Sequence, residues 1–377
     1  MAGGWPVPNL ALPCWPVPSR QPKLLDFGRA PCPVTARKAV VLNPMLLSDR
    51  YSRRVEYLRV SLSDRCNLSC RYCRPSTPMH FVQRSEILSF EELTRLVAVF
   101  ASGGVSRVRF TGGEPTLRRE LTHLVSSIAA IDGITDLAMT TNAVLLESLA
   151  EPLYAAGLRR LNVSLDTLKA DRFHGLTASV GTFSKVLEGL GAAERAGFPS
   201  IKVNTVVVRG FNDDELFDLV EWSFQRRFPL RFIEFMPIGG EATRWGPEAI
   251  VPSREIRSLL GTRFLLREEL TRRMGAGPAR YWNLQMDGES WPVGFISAVS
   301  DCFCAGCNRA RLTAEGRLRV CLADDVEVDL KGPIRAGATD DDLLGIIHAA
   351  LYEKKEHHRF DLGLQGATKR PMTSIGG

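Results

Sequence analysis

From about residue 54 onward, two hydrophobic patterns alternate along the chain. Short apolar runs predict strands at 55–62, 106–111, 136–142, 160–166, 201–208 and 230–236. Between them, longer periodic stretches predict helices at 90–102 and at roughly 118–131, 145–156, 181–196 and 213–227. The first helix opens with a capping box, Ser89 and Glu92, and sets Leu93, Leu96, Val97 and Phe100 on one face. Six strands separated by helices predict parallel βα units, either a barrel or an open sheet.

Alternate residues of a strand share a face, and here one face of several strands is polar. It carries Arg59 and Ser61; Arg109 and Thr111; Thr140 and Asn142; Asn162, Ser164 and Asp166; Lys202 and Asn204. The opposite face is apolar, as in Leu161, Val163 and Leu165. A closed eight-stranded barrel packs branched apolar residues inside. A polar lining predicts instead a wider, incomplete barrel, an α/β fold whose interior holds a ligand. Exposure of that polar face to solvent is the alternative, and parallel strands covered by helices disfavour it.

Residues 1 to about 48 break the pattern. They hold nine of the 22 prolines and a single acidic residue, Asp26. They read as a disordered extension. Other readings are an organelle transit peptide, for which the segment is too proline-rich, and an overlong start, since Met45 stands just before the patterned part. The expected organisation is an extension at 1–48, a barrel at 49–260 and a C-terminal segment at 261–377.

Composition excludes several classes. The 377 residues are 45% apolar and 24% charged, the balance of a globular protein rather than a disordered one. No apolar run approaches the ~20 residues of a membrane span. Net charge is only +6, too diffuse to argue for nucleic acid but compatible with a small anion if the cations converge. Nine cysteines without a secretory signal argue against a disulfide framework. Cys14 and Cys32 stand alone; the others cluster, as metal-binding thiols in a reducing compartment do.

Two clusters carry the chemistry. Cys66, Cys70 and Cys73 form a CxxxCxxC run after the first strand. Three thiolates in one loop hold three irons of a four-iron cluster and leave the fourth open. A structural zinc would want a fourth ligand, and His80 has no matching partner. Thr111-Gly112-Gly113-Glu114-Pro115 follows the second strand, where glycines admit a close backbone approach and Glu114 is placed to pair an ammonium. CxxxCxxC followed by GGEP resembles the radical S-adenosylmethionine (SAM) superfamily. The second cluster is Cys304, Cys307 and Cys321.

Together with Ser-Leu-Asp-Thr-Leu at 164–168, Arg-Phe-Ile-Glu-Phe-Met-Pro at 231–237, Cys-Asn-Arg-Ala-Arg-Leu-Thr at 307–313 and a terminal Ile-Gly-Gly, these motifs resemble one family over about 46–377. It is the GTP 3′,8-cyclase (MoaA) family. The resemblance implies a partial (βα)6 TIM-type barrel of the radical SAM kind with a C-terminal iron–sulfur segment. It implies two 4Fe-4S clusters, one on Cys66, Cys70 and Cys73 and the other on Cys304, Cys307 and Cys321. Tyr72, Gly113, Glu114, Ser164 and Met236 would bind SAM. Arg59, Arg109, Thr140, Lys202, Arg309, Ala310 and Arg311 would bind GTP, with Arg309, Arg311, Gly376 and Gly377 serving catalysis.

The implied reaction begins when a 5′-deoxyadenosyl radical takes hydrogen from C3′ of the GTP ribose. The C3′ radical attacks C8 of guanine, giving (8S)-3′,8-cyclo-7,8-dihydro-GTP in the first step of molybdenum cofactor (molybdopterin) biosynthesis. Guanine would sit at the open iron of the second cluster. Expected partners are GTP, a reductant as electron donor, the downstream cyclic pyranopterin monophosphate synthase and a second copy in a homodimer; nucleic acid and membrane are not among them. The expected location is cytoplasmic. A peptide-modifying radical SAM enzyme would carry a longer C-terminal cysteine set, and a plain metal-binding module would leave the polar lining without purpose.

Three features depart from the family, the first being the N-terminal 45 residues, which have no counterpart in most members. Ala143 stands where glycine is usual, at a cost of ~1 kcal/mol if φ is positive. Cys302 is an extra thiol, expected to be a partly buried small apolar residue outside the ligand set.

Overall fold

Ser89 accepts a hydrogen bond from the Glu92 amide at 3.2 Å while the Glu92 carboxylate accepts from the Ser89 amide at 2.7 Å. This reciprocal cap starts helix α1, Phe90–Ser102, with Leu93, Leu96, Val97, Val99 and Phe100 buried. In the computed structural model the described residues are 46–74, 80–239, 245–269, 277–358, 360, 368 and 370–376. Most of the expected extension, with Cys14 and Cys32, lies outside them, as does Gly377. Its last residues are ordered: Leu47 is buried, and its amide donates to the Gly103 carbonyl at 2.8 Å. Residues 46–48, at the end of the expected extension, thus belong to the described fold, where Leu47 fills a core position.

The six expected strands are β1 (Tyr57–Ser61), β2 (Arg107–Thr111), β3 (Asp136–Thr141), β4 (Arg160–Ser164), β5 (Ser200–Val207) and β6 (Leu230–Glu234). They lie side by side in sequence order and all run parallel. The other expected helices are α2 (Leu121–Ala129), α3 (Leu146–Ala155), α5 (Phe183–Arg195) and α6 (Leu216–Gln225). Sequence periodicity missed α4, Ala170–Thr177, which buries Phe173, Leu176 and Thr177. Leu161, Val163 and Leu165 are fully buried, as their face of β4 requires.

The C-terminal part extends the same sheet at both edges. After helix α7 (Ser253–Leu260) come β7 (Leu265–Glu269), β8 (Arg280–Met286) and β9 (Glu289–Ile296). Strand β9 pairs parallel to β6, and β8 and β7 continue antiparallel beyond it. The chain then crosses to the far edge, where β10 (Arg309–Leu312) pairs parallel to β1, followed by β11 (Arg317–Arg319) and β12 (Val328–Asp329). Among the described residues this sheet has twelve strands, and its two ends, β12 and β7, do not pair with each other. It is an incomplete barrel, as the polar lining demands. Residues 43–377 form one compact unit. Among the described residues no helix is long and apolar enough to cross a membrane.

Candidate active site

Register brings the polar faces into rows. Arg59 of β1 lies opposite Arg109 of β2 on one side and Arg311 of β10 on the other. Thr140, Asn162 and Lys202 form a second row across β3, β4 and β5. Ser164, Asn204 and Arg231 form a third across β4, β5 and β6. Most of these side chains line one cavity of about 320 Å³ that also reaches all six expected metal-binding cysteines.

The cations are crowded and largely dry. Arg109 donates from Nε to the Tyr57 hydroxyl and from Nη1 to Thr140 Oγ1 at 3.3 Å. Burial, then the charges of Arg109 and Arg309, bring Arg59 down to about 10 despite the opposing effect of Tyr57. Burial and the neighbouring Arg59 and Arg309 hold Arg311 well below its ordinary range. Burial, with Arg231, Arg160 and Arg109 nearby, brings Lys202 down to about 7. Guanidiniums depressed in this way gain most from an anion. Lys202 is buried at the second row but does not line the cavity among the described residues. Ala310 is buried on the opposite face of β10, with its neighbours Arg309 and Arg311 turned to the cavity.

Arg231 was not singled out from the sequence as a site residue. It is buried, lines the cavity, and its Nε and Nη2 have no hydrogen-bond partner among the described residues. Its position beside Asn204 was readable from strand alternation, but the apolar neighbours of β6 hid it.

At the first cysteine set, burial pushes all three thiols up: Cys66 moderately, Cys70 strongly with help from Cys73, and Cys73 to about 12 with help from Cys66. The sets also have a telling spacing. Among the described residues, only Cys302, Cys304 and His357 bring three metal-ligating atoms within 4.8 Å of one another. Thiolates around one zinc ion stand about 3.8 Å apart, from Zn–S bonds of about 2.3 Å in a tetrahedron. Neither Cys66, Cys70 and Cys73 nor Cys304, Cys307 and Cys321 is that tight, so both sets suit a multi-iron cluster better than a single ion.

The two loops after β1 and β2 interlock. A Cβ on Gly113 would meet the Arg65 carbonyl oxygen at 2.2 Å, and one on Gly112, at φ +137°, the Ser63 carbonyl oxygen at 2.4 Å. These glycines admit the cysteine loop itself, a reason additional to any ligand approach. Glu114 is fully buried, which raises its pKa despite its hydrogen bonds. Its carboxylate accepts from Thr116 Oγ1 at 2.6 Å, Thr141 Oγ1 at 2.7 Å and the Asn142 amide at 2.8 Å. Much of its capacity therefore goes to fixing the loops after β2 and β3. Ala143, in the latter loop, has φ +62° and is fully buried. The strain foreseen for alanine there is present.

Tyr72 donates to Asp166 Oδ2 at 2.6 Å, and burial raises that carboxyl to about 6 against the effect of this bond. Ser164 and Met236 line the cavity beside them. On the opposite side, Arg309 lies over the Phe303 ring with its centroid at 4.7 Å and Nη2 at 3.6 Å from Cys307 Sγ. Burial pushes the Cys307 thiol up, but Arg309 and Lys354 overcome it and hold it at about 6. Cys304 goes the other way, to about 11, through burial and the neighbouring Cys302, Cys321 and Cys307. Gly376 of the tail presents its carbonyl to both Arg59 and Arg311.

Cys302 departs from expectation. It is exposed, not partly buried, and its sulfur lies 3.9 Å from His357 Nδ1. The short 302–304 segment turns Cys304 inward and leaves Cys302 at the rim.

Residues 60–223 match the radical SAM superfamily, and residues 228–360 match the C-terminal domain of molybdenum cofactor synthesis proteins. The GTP 3′,8-cyclase of Syntrophomonas wolfei is 43% identical over 331 residues, covering 87% of this chain and 99% of that protein. The GTP 3′,8-cyclase of Pseudomonas putida (strain W619) is also 43% identical, over 336 residues, covering 89% of this chain and 99% of its own length. Among solved structures, Streptococcus suis SuiB bound to S-adenosylmethionine aligns with a TM-score of 0.57 at 16% identity, covering 79% of this chain and 67% of that one, a likeness of fold. With near-complete coverage of such relatives, and with both thiol sets and the arginine row opening on one cavity, the chain belongs to the GTP 3′,8-cyclase family of radical SAM proteins.

Proposed function

We propose that this chain cyclises GTP to (8S)-3′,8-cyclo-7,8-dihydroguanosine 5′-triphosphate, the first step of molybdenum cofactor biosynthesis. The observation that carries the reading is the row Arg311, Arg59 and Arg109, in register across three adjacent parallel strands, in a cavity that two three-thiol sets also line. Cys66, Cys70 and Cys73 would hold one 4Fe-4S cluster and Cys304, Cys307 and Cys321 the other. With SAM bound, the first cluster would supply the radical chemistry directed at ribose C3′, and this chain's own residues would do the positioning.

Each group has a task in this reading. Tyr72, Gly113, Glu114, Ser164 and Met236 cradle SAM, and the Tyr72–Asp166 bond fixes the Tyr72 ring. Arg59, Arg109, Thr140, Lys202 and Arg231 take the triphosphate, because buried guanidiniums bind phosphate oxygens with two donors each. Arg309 and Arg311 orient the ribose and guanine, and the Gly376 carbonyl holds Arg59 and Arg311 in place. Holding the reacting carbons in contact and excluding water are the protein's share of the rate. The barrel at 49–260 serves SAM, and the segment at 261–377 completes the substrate side. An electron donor supplies the reducing equivalents, a cyclic pyranopterin monophosphate synthase takes the product, and a homodimer in the cytoplasm is the proposed assembly. Incubation with SAM, dithionite and GTP under anaerobic conditions tests the reading: 5′-deoxyadenosine and the cyclised nucleotide should form together.

A further inference from the structure

Arg53 is a buried cation whose hydrogen bonds join distant segments. Its Nη1 donates to the Cys304 carbonyl at 2.9 Å and to the Glu356 carbonyl at 2.7 Å, and its Nη2 to the Lys355 carbonyl at 2.6 Å. Asp49, itself buried, fixes the guanidinium at 2.5 Å. One side chain thus clamps the 302–304 turn against the 355–358 segment. The clamp brings Cys302 Sγ, Cys304 Sγ and His357 Nδ1 or Nε2 within 4.8 Å of one another. Two sulfurs and an imidazole nitrogen make a soft donor set, of the kind zinc takes with a fourth position left to water. His357 turns Nδ1 toward Cys302 at 3.9 Å, while its Nε2 stands 3.7 Å from the Glu356 carboxylate. At that distance the carboxylate is a nearby charge beyond hydrogen-bond reach, and it favours a cation at the site. Cys302 and His357 are both exposed, so an ion reaches them directly from solvent.

We propose that Cys302, Cys304 and His357 form a binding site for a single thiophilic divalent ion, zinc in the first place. Cys304 is shared with the three-thiol set of Cys307 and Cys321, so zinc on the rim and a cluster on that set exclude each other. The competition would set how much of the protein carries its second cluster when iron is scarce. The existence of the zinc site stands on the geometry alone; the exclusion rests also on the cluster assignment under the proposed function.

Full-length protein, reconstituted anaerobically with iron and sulfide with or without zinc, separates the two parts by metal analysis. Without zinc, the wild type and the C302S and H357A variants should each carry ~8 iron atoms, the content of two four-iron clusters. With zinc present, the wild type should retain ~1 zinc and fall to ~4 iron, while both variants keep their iron. Equal zinc and iron in all three proteins would overturn the proposal. Zinc retained by the wild type alone, with iron still at ~8, would keep the site and overturn the exclusion. Cobalt(II) added to the cluster-free full chain gives a second readout. Its thiolate charge-transfer absorption should include a component lost in C302S and H357A but kept in C321S, and an unchanged spectrum in the first two would refute the site. A wild type holding no iron in the first experiment would count against the cluster assignment, and the cobalt spectra would still judge the rim site.

Discussion

Arg59 and Arg311 face each other in register on β1 and β10, and both donate to the carbonyl oxygen of Gly376, Arg59 from Nε at 3.3 Å. A tail of small residues, the kind of end that is normally loose, is thereby drawn into the arginine row. Gly376 has φ +74°, and a Cβ there would meet Thr111 Oγ1 at 2.8 Å. Deleting Gly376 and Gly377 should leave iron content and SAM cleavage intact and stop formation of cyclised product. Assays of 5′-deoxyadenosine and of product on the same preparation check this; undiminished product would return the tail to a passive role.

The cations proposed for the triphosphate make a prediction with a pH signature. Arg109→Ala and Lys202→Met should each weaken GTP binding by ~1.5–3 kcal/mol, the range for a charge-assisted hydrogen bond. Burial first, then Arg231, Arg160 and Arg109, hold Lys202 at about 7 against an ordinary 10.5. Its folded-state pKa is depressed, so folding disfavours the ammonium, and that penalty grows as pH falls from 10.5 toward 7. A bound phosphate removes the penalty. Between pH 8 and about 9.5, GTP binding to the wild type should therefore take up close to one proton, and Lys202→Met should take up none. Calorimetry in buffers of different ionisation enthalpy reads the difference; equal uptake would remove Lys202 from the phosphate site.

Cys70 lies between the other two thiols of its loop in sequence, and all three are half-buried. Cys70→Ala leaves two sulfurs, which cannot hold three irons while keeping a fourth open. Reconstituted variant protein should carry about four fewer iron atoms than wild type and release no 5′-deoxyadenosine. Wild-type rates of SAM cleavage would refute the assignment of this loop.

The Asp49–Arg53 pair is a stability prediction. Both side chains are nearly free of solvent, at 0% and 7% exposure, and Arg53 serves three backbone carbonyls. Removing one partner of a buried pair strands the other, at about 3–5 kcal/mol. Asp49→Ala should lower the melting temperature markedly, whereas Arg227→Ala, which breaks an exposed pair with Glu289, should change it little. Similar melting temperatures for the two variants would contradict the clamp.

Much of the fold was legible because its signals are local. The six strands, the capped helix Phe90–Ser102 and the polar inner faces all follow from periodicities of two and 3.6. Helix Ala170–Thr177 was not legible: it is short, and it ends at Ala178 in the left-handed region rather than at a glycine. The strands that flank the barrel were missed for another reason. Strand β10 finds its partner β1 about 250 residues away, and no pattern within either segment announces the pairing. In the site, the cysteines and the inward arginines Arg59 and Arg109 were readable from spacing and alternation. Arg231 was masked by its apolar strand. His357 comes to Cys302 through contacts between distant segments, Arg53 with the Glu356 carbonyl and the His358 amide with Cys304 Sγ, which no local pattern announces.

The most direct measurement is a single anaerobic incubation of reconstituted full-length protein with SAM, dithionite and GTP, followed by chromatography of the nucleotides. 5′-Deoxyadenosine should appear in step with loss of GTP and with a nucleotide of GTP's mass that has lost its aromatic purine absorbance. Recovery of all the GTP unchanged alongside abundant 5′-deoxyadenosine would contradict GTP as the substrate, and absence of 5′-deoxyadenosine from cluster-replete protein would contradict the radical chemistry itself.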